Sequence, residues 1–373
     1  MKLSGPASFP FVGEPRLLRL ERACDSGFEA IDLAHPTETC PVGFTAAPHA
    51  VVLSSDFDYL QVGDILRANP AAREVRTLYR RHSRHNVLFF TERCNSRCLM
   101  CSQPPRAVQD DHLVAEILQM IPWLDRSTLE LGITGGEPTL LGDRLLDVLR
   151  ALRTHLPDTA VHMLSNGRQF RFAPFAQQVA AAQPKDFMIG VPLYADTAAQ
   201  HDYVVQARGA FEETIFGLLN LARVGVRIEL RCVLHRATYQ RLPQFARFVA
   251  RNLPFVDQVS FMGLELMGFA RSNLDALWID PADYQAELEQ AVEALDTAAI
   301  PVQLFNLPLC VLRPNLVRFA RRAISDWKNI YLPACTECAA RDRCGGFFAS
   351  STLRHSAHLR PFSAPIATFA ASQ

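Results

Sequence analysis

Three cysteines, Cys94, Cys98 and Cys101, stand in Thr91-Glu-Arg-Cys-Asn-Ser-Arg-Cys-Leu-Met-Cys-Ser-Gln103 with the spacing Cys-x3-Cys-x2-Cys. Thiolates are the ligands that hold iron-sulfur clusters, and three this close can wrap one loop around a single inorganic centre. On a four-iron cluster they leave one iron open to a small molecule. The same residues also admit a partial zinc knuckle or a redox site. A second set lies near the C-terminus: Cys335-Thr-Glu-Cys338, then Cys344 after five residues, with the distant Cys310 in Asn306-Leu-Pro-Leu-Cys. Four thiolates suffice for a fully protein-ligated 4Fe-4S cluster and equally for a tetrathiolate zinc. Cys24, Cys40 and Cys232 stand apart and read as small buried hydrophobes.

Some thirty residues beyond the first set, after the strand-like Leu129 to Thr134, comes Gly135-Gly136-Glu137-Pro138. Glycines let the backbone approach a ligand closely, and their N–H groups suit a carboxylate. A lone Gly-Gly-Glu is commonly just a turn; its order and distance relative to the cysteines set this one apart. Together the two motifs resemble the signatures of the radical S-adenosylmethionine (SAM) superfamily. The resemblance implies a cluster on Cys94, Cys98 and Cys101 whose fourth iron takes the amino and carboxylate groups of SAM. Reduced, such a cluster cleaves SAM to a 5'-deoxyadenosyl radical. It also implies that Gly135 and Gly136 face the SAM carboxylate and that Glu137 accepts from its ammonium.

The same resemblance extends to further positions. Met100 stands where the family carries an aromatic residue on the adenine, and methionine also packs softly on rings. Ser165-Asn166-Gly167 matches a polar residue and small turn near SAM, or is an ordinary Asn-Gly turn. Leu193-Tyr194-Ala195-Asp196, His201-Asp202 and Arg208-Gly209-Ala210-Phe211 resemble a run found in peptide-modifying members. There Leu193 or Tyr194 stands where the family often has a ribose-contacting serine, and Arg208 pairs with the SAM carboxylate or is a surface arginine at a helix start. His201, Asp202, His235 and Glu265 are candidates by position only, so no catalytic acid or base is named.

Leu88 to Arg106, Ile133 to Thr139, Asn306 to Cys310 and Cys335 to Gly346 together resemble the C-type radical SAM maturase of the His-Xaa-Ser peptide systems. That implies a ribosomally made precursor peptide with His-Xaa-Ser repeats as substrate. It further implies a second radical SAM maturase as partner, and a reductant such as flavodoxin or ferredoxin. The C-terminal set, Cys310, Cys335, Cys338 and Cys344, then resembles a shortened auxiliary-cluster region holding a second 4Fe-4S cluster. Two other readings stay open: a radical SAM enzyme acting on a small molecule with a structural C-terminal metal site, and a non-catalytic Fe-S or zinc binding partner.

The elements that must position these residues are legible in outline. From Asn86 to about Met262, strand-like and helix-like runs alternate, the pattern of βα units and a parallel sheet. Strands are predicted at Val87–Phe90, Leu129–Thr134, Val161–Ser165, Phe187–Leu193, Ile228–Val233 and Val259–Met262. Helices are predicted at His112–Leu124, Arg144–Leu156, Phe175–Ala182, Phe211–Val224 and Tyr239–Asn252. The expected fold class is α/β: a partial (β/α)6 TIM-like radical SAM barrel with its active face at the strand C-termini. Residues 1–84 read as a small β-rich domain, 85–265 as the barrel, 266–350 as a helix (Pro281–Ala298) and auxiliary region, and 351–373 as a flexible tail.

With 373 residues, 49% of them hydrophobic, the chain can build a large core with appendages. Lys plus Arg equals Asp plus Glu at 38 each, which speaks against nonspecific nucleic-acid or anionic-membrane binding. Met1-Lys-Leu-Ser-Gly-Pro has no apolar signal core, and no apolar run reaches membrane-spanning length. The expected location is the cytoplasm, where clustered cysteines read as metal ligands more readily than as disulfides.

Overall fold

The computed structural model describes residues 1–24, 27–45 and 49–365; the side chain of Cys24 lies outside the described residues. The chain divides into two compact units, one of residues 1–91, 109–163 and 181–187, the other of 92–108, 164–180 and 188–373.

The first unit begins with seven short strands: β1 (Ser4–Ser8), β2 (Arg16–Cys24), β3 (Gly27–Asp32), β4 (Thr39–Gly43), β5 (Val51–Leu53), β6 (Ile65–Asn69) and β7 (Glu74–Tyr79). They close a barrel in the order β1-β5-β4-β3-β2-β6-β7, with β7 returning to β1. Closure removes the free edges that a small sheet would otherwise expose. Alternation does the sorting: Val75 and Tyr79 on β7 turn inward, and Leu18, Leu20, Val51, Phe57 and Leu66 fill the core. The expected β-rich domain is therefore a closed barrel. Its β7 and β6 are tied to the rest of the unit, since Tyr79 Oη meets Thr128 Oγ1 at 2.7 Å and Arg67 Nε donates to Glu116 at 2.7 Å.

The rest of this unit is the first βα layer. Strands β8 (Val87–Phe89), β9 (Glu130–Thr134) and β10 (Ala160–Leu164) run parallel in that order, joined by α1 (His112–Met120) and α2 (Asp143–His155). Helix α2 buries Leu145, Leu146, Val148, Leu149 and Leu152, the i, i+3, i+4, i+7 stripe of a surface helix.

In the second unit, five strands follow helix α3 (Ala173–Ala182): β11 (Phe187–Pro192), β12 (Arg227–Val233), β13 (Gln258–Met262), β14 (Val302–Phe305) and β15 (Ala320–Arg321). Each pairs in parallel with the next. Helices α4 (Ala198–Val205), α5 (Ala210–Arg223), α6 (Leu242–Asn252), α7 (Gly268–Ser272), α8 (Leu274–Leu277) and α9 (Gln285–Thr297) complete it. All six expected strands form, and β14 and β15 add two that the sequence did not announce. The parallel layer thus runs past residue 265, where the barrel was expected to end. The expected helix from Pro281 opens as a 3-10 turn, Pro281–Tyr284, before α9, and Asp280 caps it by accepting from Ala282 N at 3.0 Å.

The last two strands, β16 (Asn329–Ile330) and β17 (Phe347–Phe348), pair antiparallel amid 3-10 turns. Within the segment expected to be a tail, Ser356 is buried and donates to Asp280 Oδ1 at 2.6 Å, and Phe362 O accepts from Ala339 N at 2.9 Å. Residues 366–373 lie outside the described residues. Among the described residues, no helix is long and apolar enough to cross a membrane.

Candidate metal centre

The loop that follows β8 carries Cys94, Cys98 and Cys101, and neighbouring elements of the second unit hold it residue by residue. Arg97 N and Leu99 N donate to Val205 O (3.0 Å) and Val204 O (2.9 Å) at the end of α4. Asn273 Nδ2 donates to Leu99 O at 2.9 Å, and Phe269 N at the start of α7 donates to Cys101 O at 2.8 Å. Gly268 makes that last approach feasible: a Cβ there would lie 2.5 Å from Cys101 O and 2.6 Å from Ser102 O, at φ +54°. A loop with its backbone groups engaged in this way presents its thiols in a defined arrangement before any metal arrives.

Met100 and Tyr194 are buried together, with Val204, Val205, Ala210, Ala270 and Leu277 around them and Cys98 packed against the cluster. This places two residues expected near SAM in an apolar wall beside the cysteines. His201 stacks on Tyr194 with ring centroids 5.9 Å apart and accepts from Tyr194 N at Nδ1 (3.3 Å). His235 sits 6.4 Å from the same ring. Burial drives both imidazole pKa values down to about 4, so both stay neutral at physiological pH. Asp202 is a cap: its carboxylate accepts from Gly209 N (2.5 Å) and Phe211 N (2.8 Å) at the start of α5. Arg208 is exposed in the turn just before, and Glu265 pairs with Lys328 at 2.9 Å.

The turn after β10 reaches the cysteine loop. Ser165 Oγ accepts from Gly167 N at 3.1 Å, and Asn166 Oδ1 accepts from Arg168 N at 3.1 Å. Asn166 Nδ2 donates to Asn95 Oδ1 at 2.6 Å and lies 4.0 Å from Cys94 Sγ. Arg168, which sequence reading did not single out, donates from Nη1 to Asn95 O and to Ser96 Oγ (3.0 Å), and from Nε to Glu213 (2.6 Å). Its signal was the polar Asn-Ser pair between two cysteines, which needs partners from elsewhere in the chain.

Burial first, and then the neighbouring Cys101 and Cys94, push the Cys98 thiol up to about 12; burial likewise raises Cys101. Thiolates that feel one another's charge repel, and a bound cationic centre removes that repulsion. The donor set therefore fits a thiophilic metal group.

In the first unit, the second motif docks on Thr91, two residues beyond β8. Gly136 N donates to Thr91 O at 2.6 Å, and a Cβ on Gly135 would lie 2.7 Å from that same oxygen. Thr91 in turn donates to the buried Asp110 at 2.7 Å. Glu137 is fully buried and its Oε1 accepts from Thr139 N (3.1 Å) and Thr139 Oγ1 (2.6 Å), which caps the 3-10 turn at Pro138–Leu141.

The second cysteine set also comes together. Cys310, Cys335, Cys338 and Cys344 line one apolar pocket with Tyr331, Phe347 and Phe362. Burial raises the Cys310 thiol while the Arg360 N–H, donating to it, holds it back; burial also raises Cys335. Gly346 N donates to Cys344 Sγ at 3.4 Å. Four sulfurs lining one pocket with backbone N–H donors suit a protein-ligated cluster. Of the isolated cysteines, Cys232 is fully buried, and burial puts its thiol at about 12; Cys40 is half-buried. Among the described residues, Asp32, His35 and Glu38 bring ligand atoms within 4.8 Å of one another. Arg16 already stands 3.5 Å from Asp32 there.

Residues 88–249 match the model of the Radical SAM superfamily. Among solved structures, Streptococcus suis SuiB is similar at 17% identity and a TM-score of 0.46, covering 58% of this chain and 48% of SuiB. SuiB bound to its precursor peptide SuiA gives 16% and 0.46, with 59% and 47% covered. Native anSMEcpe with bound AdoMet and Cp18Cys peptide gives 14% and 0.46, with 58% and 62% covered. The chain spans about half the length of SuiB. No curated protein matches.

Proposed function

We propose, from the match of residues 88–249 to the model of the Radical SAM superfamily, that this chain modifies a ribosomally made precursor peptide of the His-Xaa-Ser type. The observation that carries the reading is the convergence of Cys310, Cys335, Cys338 and Cys344 on one pocket, in a chain that also holds the three-cysteine loop. By sequence, these four cysteines resemble a shortened form of the C-terminal auxiliary-cluster regions found in peptide-maturing radical SAM enzymes.

In this reading Cys94, Cys98 and Cys101 ligate a 4Fe-4S cluster and the C-terminal four ligate a second. A cluster held by Cys94, Cys98 and Cys101, with SAM bound, would supply one-electron cleavage of SAM to a 5'-deoxyadenosyl radical able to take hydrogen from substrate. The chain's own contribution is placement and exclusion of water. Met100, Tyr194, Val204 and Ala210 form an apolar cluster against which Cys98 packs, which strengthens electrostatic interactions there and limits quenching of reactive species. By the sequence resemblance, Gly135, Gly136, Glu137 and Arg208 take the amino-acid end of SAM, and Ser165, Asn166 and Tyr194 lie near its remaining polar groups. A second radical SAM maturase and a flavodoxin- or ferredoxin-type reductant are the partners that this reading requires, in the cytoplasm.

The test is direct. Anaerobically reconstituted protein, SAM and dithionite are incubated with a synthetic peptide bearing His-Xaa-Ser repeats, and the peptide mass and 5'-deoxyadenosine are measured. Peptide-dependent mass change supports the reading. Efficient SAM cleavage with the peptide unchanged, together with zinc in the C-terminal site, would move the assignment to a small-molecule substrate.

A further inference from the structure

We propose that Asn166 and Arg168 are positioning residues that set the reduction potential of the cluster on Cys94, Cys98 and Cys101; the inference rests on that cluster reading. Both stand on the turn directly after β10, and both are aimed into the arc between the first two cysteines. The Asn166 amide is oriented by its own neighbour, since its Oδ1 accepts from Arg168 N at 3.1 Å. That leaves Nδ2 directed at Asn95 Oδ1 (2.6 Å), with Cys94 Sγ at 4.0 Å. Thr214 Oγ1 donates to Asn166 O at 3.2 Å and fixes the turn from the α5 side.

Arg168 spans the arc. Its Nη1 donates to Asn95 O and to Ser96 Oγ at 3.0 Å, its Nε donates to Glu213 at 2.6 Å, and only 13% of its side chain is exposed. Glu213 also pairs with Arg171, so two guanidiniums share one carboxylate and a net positive charge remains beside the loop. Ser96 is itself buried, at 4% exposure. A lysine has the charge but not the fork that reaches a carbonyl, a hydroxyl and a carboxylate together.

A cluster gains one negative charge on reduction. Hydrogen-bond donors to its sulfurs and nearby cations stabilise that state, and in a partly desolvated setting the effect is larger than in water. The sign follows: taking away the Arg168 charge or the Asn166 N–H donor makes the cluster harder to reduce. A simple loop clamp would affect cluster retention without a consistent sign in the potential.

The experiment is a redox titration of anaerobically reconstituted wild type, Asn166→Ala, Arg168→Met and Arg168→Lys. It follows the electron paramagnetic resonance signal that changes on adding SAM. At the wild-type midpoint, Arg168→Met is expected to lower the reduced-to-oxidised ratio about tenfold, the ~59 mV of a one-electron decade. Asn166→Ala shifts the same way by less, and Arg168→Lys recovers most of the Met shift. Should Arg168→Met fail to load iron, the Asn166→Ala and Arg168→Lys titrations decide. Unshifted midpoints in iron-loaded variants overturn this inference and leave the cluster reading intact. A wild type with no SAM-responsive iron signal overturns the cluster reading itself.

Discussion

The two cysteine regions solve the same problem in different ways. The loop of Cys94, Cys98 and Cys101 is held by neighbouring elements: the end of α4 accepts from its backbone N–H groups, while the start of α7 and Arg168 on the turn after β10 donate to its carbonyls. The set of Cys310, Cys335, Cys338 and Cys344 lies among 3-10 turns and a two-residue strand pair, closed over by residues 359–362. Few long-range backbone ladders support that second region, so bound metal would supply much of its order. A three-thiolate site held by the scaffold suits a group that must keep an open coordination position. A four-thiolate site in irregular chain suits a closed one.

The largest effect that could break this contrast comes from the first loop. Cys98→Ala should leave the melting temperature within a few degrees and drop 5'-deoxyadenosine production below detection, read by chromatography. A cooperative loss of fold instead would mean that the loop depends on its metal as the second region is proposed to. Cys335→Ala combined with Cys338→Ala should do the reverse: iron falls by about four per chain, residues beyond 330 become protease-sensitive, and SAM cleavage persists. Limited proteolysis with mass spectrometry reads that outcome.

Gly268→Ala sharpens the comparison by loosening the scaffold side alone. The added methyl meets Cys101 O at 2.5 Å and the φ is +54°, so a cost of about 1–3 kcal/mol is expected. Iron content and SAM cleavage should fall together while the C-terminal cysteines keep their metal. The effect that bears least on the metal sites themselves is that of pH. His201 and His235 have folded values of about 4 against 6.5 for the free group. The unfolded chain therefore binds more protons between those limits. Stability is full above pH 6.5 and declines toward 4, by at most about 1.4 kcal/mol per unit per histidine. Denaturation midpoints of the His201→Asn, His235→Gln double variant should show a flatter pH slope than wild type.

What the sequence revealed and what it hid follow a physical line. The six strands were legible because each is an apolar run between turn signals, and α2 and α6 because their apolar stripes have helical period. Strands β14 and β15 were not, being four and two residues long. Helix α4 was hidden by its weak amphipathic pattern in Ala-Ala-Gln-His-Asp-Tyr-Val-Val. The cysteine motifs and Gly-Gly-Glu carry their meaning in local spacing. Arg168 does not: its partners Asn95 and Ser96 lie 73 and 72 positions away. The burial of Ser356 likewise depends on Asp280, 76 positions earlier, a contact that the local composition does not announce.

The most direct test of the central claim is iron, sulfide and zinc content of anaerobically purified protein, wild type beside the Cys94→Ala, Cys98→Ala, Cys101→Ala triple variant, with 5'-deoxyadenosine measured in both. The account predicts about eight irons falling to about four, with SAM cleavage lost. Unchanged iron, or persistent 5'-deoxyadenosine in the triple variant, would contradict it.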